Sequence, residues 1–127
     1  MSLVTISQKG DFSKTLRFLR KLKSDSFKTK MNEYGRKGVD ALRAATPKDS
    51  GKTANSWDYE IHATTTSVSI IWKNSNDNHG VNIAVLIQYG HGTRNGGYVQ
   101  GIDYINPAMR PIFDQMAEDV WQEVISQ

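Results

Sequence analysis

The chain has 127 residues, a formal net charge of +3 and no cysteine, and 38% of its residues are hydrophobic. Its length and its twelve aromatic residues fit one ordered domain over residues 1–127, in which residues 1–10 are expected to be flexible. The lack of cysteine excludes disulfide bonds and thiolate metal sites, and no apolar run reaches the roughly 18 residues of a membrane-spanning helix. The start of the chain lacks the apolar centre of a signal peptide, so we expect a cytosolic protein.

Charge is unevenly distributed along the chain. Residues 1–52 contain thirteen Lys or Arg and five Asp or Glu, a balance of +8, whereas residues 53–127 contain three and eight, a balance of −5. A basic half is compatible with a nucleic-acid face, since phosphate contacts need Lys and Arg, although no base-stacking aromatics are interleaved with these residues. It is also compatible with head-to-tail association, in which the basic end of one subunit meets the acidic end of the next.

Two helical patterns come first in the chain. Asp11 is a suitable N-cap for a short amphipathic helix with a basic face, and a second cap at residues 24–26 precedes a 3.6-residue apolar period that ends at Pro47. The patterns fit one kinked helix or two. Gly35 and Gly38 are unfavourable inside a helix, so they predict a close approach between the second pattern and a sheet.

Residues 46–56 form a polar turn region that contains Ser-Gly-Lys-Thr at 50–53. A phosphate-binding P-loop would need glycine at position 46, a strand before the loop and a helix after it. Thr46 occupies that position, a helix is predicted before the loop and a strand after it. Nucleotide binding is therefore not predicted.

Alternation with period two predicts an antiparallel hairpin from residues 57–63 and 68–73, with a turn at 64–66. Residues 74–80 have the composition of a loop that is too polar to pack and is suited to left-handed turns. Residues 81–89 are apolar and fit either a central strand or a short helix leading into one.

A Gly-rich stretch, residues 87–107, holds five of the ten glycines and precedes the last predicted helix. Asn106 suits the cap of that helix and Pro107 its first position, with Pro111 in the first turn or just beyond it. The helix has an apolar stripe and an acidic outer surface. The order of elements predicts an α+β fold in which an N-terminal helix or helix pair and a C-terminal helix pack on a small antiparallel sheet.

Three histidines lie on different predicted elements, and none has another ligand type at metal-binding spacing within its element, so no metal site is predicted. His62 is expected to face solvent on a strand and His79 to lie in a turn. His91, with Thr93 and Asp103, could be named as a base, a nucleophile and an orienting carboxylate. The interpretation we prefer is a sharp chain reversal around His91, with no catalytic role.

Short motifs extend over most of the chain. Ala-Ala-Thr-Pro-x-x-Ser-Gly-x-Thr-Ala-x-Ser-Trp occupies residues 44–57, Tyr-Gly-His-Gly-Thr residues 89–93 and Ile-Asn-Pro-Ala residues 105–108. With a basic N-terminal helix and a two-stranded segment, their order resembles the tail-component family of long-tailed bacteriophages and prophages, also described as minor capsid or gene-product-ten-like proteins. The resemblance runs from about residue 12 to the end. Gln88 and Tyr89 depart from it, because the family typically has an acidic residue before the glycine.

The resemblance implies a structural virion assembly protein that has no enzymatic activity and needs no cofactor. It would act in head–tail joining or tail completion, as a ring at the head–tail junction or the tail terminus. Its partners would be further copies of itself and other connector and tail proteins, with no membrane contact. It would reside in the virion, and in the host cytoplasm during assembly.

We expect the partner interface in the Gly-rich stretch, where aromatic and apolar residues are unusual for a solvated loop. The expected interface residues are Tyr89, His91, Arg94, Tyr98, Val99, Ile102 and Tyr104. An equally good interpretation folds this stretch back as a further strand over the core. The alternative function is a small basic DNA-binding module. Its expected DNA-facing residues are Arg17, Arg20, Lys21, Lys28 and Lys30.

Overall fold

A computed structural model describes residues 25–47, 51–64 and 68–125. This part of the chain contains three α-helices and three antiparallel sheets of two strands each, which confirms the predicted α+β arrangement. The helices are α1 (Asp25–Ala45), α2 (Ile83–Tyr89) and α3 (Ile105–Ile125). The strands are β1 (Trp57–Ala63), β2 (Val68–Asn74), β3 (Asp77–Asn78), β4 (Val81–Asn82), β5 (Gly90–Gly92) and β6 (Tyr98–Gln100). The predictions for residues 1–24 and for the turn at 65–66 lie outside the described residues.

The β1–β2 hairpin has the predicted alternation. Its strands pair from Trp57 opposite Asn74 to Ala63 opposite Val68, and alternate residues of β2 are buried. On the solvent side, the carboxylate of Glu60 lies 2.6 Å from the Lys73 ammonium and 2.9 Å from the ring of His62. His62 therefore faces solvent, as predicted.

Two glycines bring α1 close to this hairpin. A β-carbon on Gly35 would lie 2.2 Å from the ring of Tyr59, and one on Gly38 would lie 2.3 Å from the indole nitrogen of Trp72. The same indole N–H donates a hydrogen bond to the carbonyl of Gly35 at 3.0 Å. The predicted close approach of helix and sheet is confirmed.

The C-terminal helix α3 completes the core by packing against α1. The hydroxyl of Tyr34 on α1 donates to the carboxylate of Asp119 on α3. Phe113 of α3 meets Trp72 of β2 edge to face, with ring centroids 6.2 Å apart. The core contains Phe27, Met31, Tyr34, Leu42, Trp57, Ile70, Trp72, Met109 and Met116.

The prediction of a loop too polar to pack at residues 74–80 is wrong in one respect. Asn74 and Asn76 are buried, and β3 and β4 form a short ladder in this segment. His79, with φ of +51°, and Gly80, with φ of +80°, make the tight connection between the two strands. The left-handed turn at His79 is therefore confirmed. The segment is folded inwards because its amides find buried partners.

Two boundaries near the C-terminal part differ from expectation. Residues 81–89 are divided between β4 and α2, so the short helix leading into a strand is the correct alternative. Helix α3 begins at Ile105, two residues before the predicted first position at Pro107. Pro111 consequently lies in the second turn of α3, where it has no N–H to donate to the preceding turn.

Candidate functional site: a hairpin arm

The Gly-rich stretch folds as a hairpin that we call the arm, residues 89–102. In it, β5 pairs with β6, with Gly90 opposite Gln100 and Gly92 opposite Tyr98. The connecting turn is closed by a hydrogen bond from the N–H of Thr93 to the carbonyl of Gly97 at 2.9 Å. The threonine hydroxyl also accepts from the N–H of Gly97 at 3.0 Å. The arm is thus an ordered element with its own backbone pairing.

Glycine is required at the root of the arm, where the segment before β5 meets the segment after β6. Gly90 has φ of +80°, and a β-carbon there would lie 2.5 Å from the carbonyl oxygen of Val99. A β-carbon on Gly101 would lie 2.6 Å from the carbonyl oxygen of Gln88. The two segments of the chain that meet at this root lie too close together for either glycine to carry a side chain.

Gln88 fixes the root of the arm to α3. Its buried side-chain oxygen accepts from the N–H of Ile105 at 3.0 Å, a donor without a partner in its own helix, and from the N–H of Tyr104 at 3.1 Å. The Tyr104 N–H also donates to the carbonyl of Ile102 at 2.9 Å. Its amide nitrogen donates to Asp103 at 2.7 Å. This hydrogen bond, and another from Asn106, hold the pKa of Asp103 below its usual value. Gln88 therefore caps α3 from a distance.

A network of buried amides supports α2 from the other side. Asn82 caps α2 by accepting from the N–H of Val85 at 3.3 Å, and it donates to the carbonyl of Asn74 and to Asp77, both at 2.8 Å. The side chain of Asn76 donates to the hydroxyl of Thr53 at 2.8 Å. The arm thus projects from a helix that is held at both ends.

Most of the predicted interface residues lie on the surface of this arm. The exposed fractions are 69% for Tyr89, 63% for Tyr98, 47% for Val99 and 54% for Ile102. Arg94 is exposed in the connecting turn. The stretch does fold back as a strand, β6, but its side chains point to solvent and do not cover the core. The interpretation as a strand over the core is therefore wrong.

Tyr104 is the exception among the predicted interface residues. Its side chain is buried, and its hydroxyl donates to the carbonyl of Ala84 at 2.7 Å. Burial raises the pKa of Tyr104 well above its usual value. Tyr104 thus belongs to the core, because it fills the space between α2 and the start of α3.

His91 is half-buried in β5, opposite Val99. The chain reverses between Thr93 and Gly97, so the predicted reversal around His91 is wrong. Its Nδ1 atom is buried without a hydrogen-bond partner in the described part of the chain. The other members of the conceivable catalytic set bond elsewhere, Thr93 to Gly97 and Asp103 to Gln88 and Asn106. The structure therefore does not join these three residues by hydrogen bonds.

The polar turn region at 46–56 is partly directed inwards. Thr46 is buried and its hydroxyl accepts from the indole N–H of Trp57 at 2.9 Å, while Thr53 accepts from Asn76. A cavity of about 440 Å³ lies beside this loop, between Lys52 and the α2 residue Ile87. In the described ranges, no group of three or more His, Cys, Asp or Glu side chains is arranged to hold a metal ion.

Of the expected DNA-facing residues, Lys28 and Lys30 are exposed on α1. Arg17, Arg20 and Lys21 lie outside the described residues. Lys28 and Lys30 are accompanied on the same helix by exposed Arg36 and Lys37. Lys28 and Lys30 were predicted from the sequence, whereas Arg36 and Lys37 were not named and Gln88 was treated only as a departure from a family pattern. The sequence feature that could have indicated a structural role for Gln88 is its position as an amide inside an apolar run that ends at a glycine.

Comparison with protein-family models, curated proteins and solved structures found no match for this chain. Among the helices of the described residues, none is long and apolar enough to cross a membrane.

Proposed function

We propose that this chain is a structural assembly protein of a long-tailed bacteriophage or prophage. It acts at the head–tail junction or the tail terminus, as one subunit of a ring that completes or joins the tail. The observation that carries the proposal is the arm, a hairpin with a hydrogen-bonded root that exposes four large apolar side chains, those of Tyr89, Tyr98, Val99 and Ile102. The motif order that resembles phage tail components supports the same class.

An exposed apolar arm is costly for a subunit that works alone. Tyr89, Tyr98, Val99 and Ile102 lie close together in the chain and leave apolar surface in contact with water. Exposed apolar and aromatic side chains concentrated on one small element are typical of protein interfaces, and tyrosine is among the residues that contribute most to binding. The root at Gln88 adds pre-organisation, because a fixed arm loses little entropy on docking.

We expect the copies to form a ring, because the arm of one copy would meet a different surface on the next copy. When a patch on one copy meets a different patch on the next copy, the contact is heterologous, and such contacts close into rings when the rotation between copies allows it. Our proposal therefore predicts a closed oligomer of the 14.3-kDa subunit. The proposed function includes no enzymatic reaction.

The test is the mass of the assembly. We expect light scattering to give a multiple of the subunit mass, either for the chain at high concentration or after mixing with tail-tube or connector proteins of the same phage. The variant Val99→Ser should lower assembly. The control Val81→Ser removes an equally exposed valine away from the arm and should leave assembly intact. A mass that stays monomeric under every condition would refute the proposal.

Non-specific DNA binding is the second candidate function. The specific observation in its favour is that Lys28, Lys30, Arg36 and Lys37 are exposed and form no ion pair with the described part of the chain. Phosphate contacts of these residues would serve a ring that surrounds DNA as well as a free DNA-binding module. The two functions differ in whether self-association is needed.

A further inference from the structure

Helix α3 carries a second stripe that is exposed in the described part of the chain. Asp114, Glu118 and Trp121 are spaced by four and three residues, which places them on one face of the helix. All three are exposed, and Trp121 leaves 57% of its surface in water. The buried side of α3, with Met109 and Met116, lies on the opposite face. We call these three residues the acidic stripe.

The arm has the complementary chemistry. Arg94 is the one fully ionised side chain between residues 89 and 102, and it makes no hydrogen bond or ion pair with the described residues. Around it the arm offers aromatic and aliphatic side chains. An arginine pairs well with carboxylates and also stacks on an indole ring, and tryptophan is the best partner for such stacking. The acidic stripe offers both partners within two helical turns.

We propose that the arm of one copy docks on the acidic stripe of the next copy of this chain. Arg94 then lies between Asp114 and Glu118, and the apolar side chains of the arm cover Trp121. Both surfaces are exposed within the single subunit, so neither is covered by the other in the same copy. The contact joins two different patches, which makes it heterologous. This inference rests on the proposed ring and identifies the surfaces that form it.

The absence of cysteine makes a direct test available. In the double variant Arg94→Cys with Glu118→Cys, a short bismaleimide cross-linker should link each copy of the full-length chain to the next through its arm and stripe, because it spans the space that the two long side chains occupied, which is too wide for a disulfide. We expect a ladder of dimers, trimers and larger species on a non-reducing gel. Each single variant can form no more than a dimer, and a mixture of the two should give the mixed dimer.

The control double variant combines Arg36→Cys with Glu118→Cys. Arg36 is an exposed arginine on α1, away from the arm, so no ladder is expected. Efficient dimerisation of Arg94→Cys alone would indicate a two-fold contact between arms and would overturn the inference. A missing ladder in a preparation whose parent chain forms rings would overturn the inference and leave the proposed function intact. A parent chain that never assembles would refute both.

Charge exchange provides an independent measurement. Arg94→Glu and Glu118→Arg should each weaken self-association by roughly tenfold, because each places like charges together in the contact. The combination of both changes should recover most of the loss, since the pair is restored with reversed signs. Arg36→Glu reverses the same charge outside the contact and should leave association unchanged. Failure of the combined variant to recover association would contradict the assigned pairing.

Discussion

Gly38 determines how closely α1 approaches the sheet. We expect Gly38→Ala to lower the free energy of unfolding by about 1–3 kcal/mol, since the new methyl group would overlap the indole of Trp72. Trp72 is completely buried and cannot move aside. Helix propensity alone would favour alanine by about 1 kcal/mol, so a net loss isolates the steric effect. Urea denaturation of both chains gives the difference.

The matched control for this change is Gly92→Ala. The nearest atom to a β-carbon there is the carbonyl oxygen of Gly97 at 3.9 Å, and its backbone is not left-handed. The free energy of unfolding should then change by no more than about 0.5 kcal/mol. Equal losses in the two variants would contradict the close approach as the cause.

The sequence predicted the close approach of helix and sheet at these glycines, but it did not predict which aromatic residues are buried. Gly35 and Gly38 are informative because a helix tolerates glycine poorly, so their presence requires a local reason. Tyr104 and Tyr98 have the same chemistry and lie in the same Gly-rich stretch. Tyr104 is buried and its hydroxyl donates to the carbonyl of Ala84 in α2, whereas Tyr98 lies on the exposed strand β6. That difference depends on contacts between distant residues, which local patterns do not contain.

At the scale of elements, the start of α3 is fixed by Gln88 and Asp103, and this arrangement should respond to pH. Hydrogen bonds from Gln88 and Asn106 lower the pKa of Asp103 in the folded state from its usual 3.8. The ionised form is therefore favoured by folding. This stabilisation is fully present above the unfolded-state pKa and is lost as pH falls through the lower folded-state pKa.

We expect Asp103→Asn to make the stability of the protein less sensitive to acid. The asparagine oxygen still accepts from the Gln88 amide, so the cap persists while the ionisation is removed. Melting temperatures at pH 5 and pH 3 should therefore differ less in the variant than in the parent chain. Glu33→Gln removes an exposed carboxylate without a hydrogen-bond partner among the described residues, outside the arm and the acidic stripe, and serves as the control. An identical acid response in parent and Asp103→Asn would exclude this role.

Element boundaries show where local reasoning fails. The segment at 74–80 has the composition of a solvated loop, yet Asn74 and Asn76 are buried because each finds a partner at Thr53. The composition of a segment indicates the unfavourable free energy of burying its amides. The hydrogen bonds that offset this free energy come from distant residues, which the local sequence does not show. The predicted start of α3 is wrong for the same reason. A local cap at Asn106 is the solution that the sequence favours, and Gln88, seventeen residues before Ile105, supplies the actual one.

For the whole molecule, the described elements separate a packed body from an exposed arm. The body is held by α1, α3 and the β1–β2 hairpin, and the arm is attached through Gln88 and two tight glycines. Such a division suits a subunit whose function is to present one surface to a neighbour. It also separates the two candidate functions, because the arm and the basic side chains of α1 can be altered independently.

Salt dependence distinguishes DNA binding from assembly. If Lys28 and Lys30 contact phosphates, the logarithm of the affinity for duplex DNA should fall with the logarithm of the salt concentration, because each neutralised phosphate releases counterions. Lys28→Gln combined with Lys30→Gln should reduce that slope by roughly 0.9 for each phosphate that is no longer neutralised. Fluorescence anisotropy of a labelled duplex at several salt concentrations measures this slope.

The control variant Arg110→Gln removes an exposed charge from α3 and should leave the slope unchanged. An unaltered slope in the double variant would contradict DNA binding through these two lysines, while the self-association predicted for the arm would be unaffected.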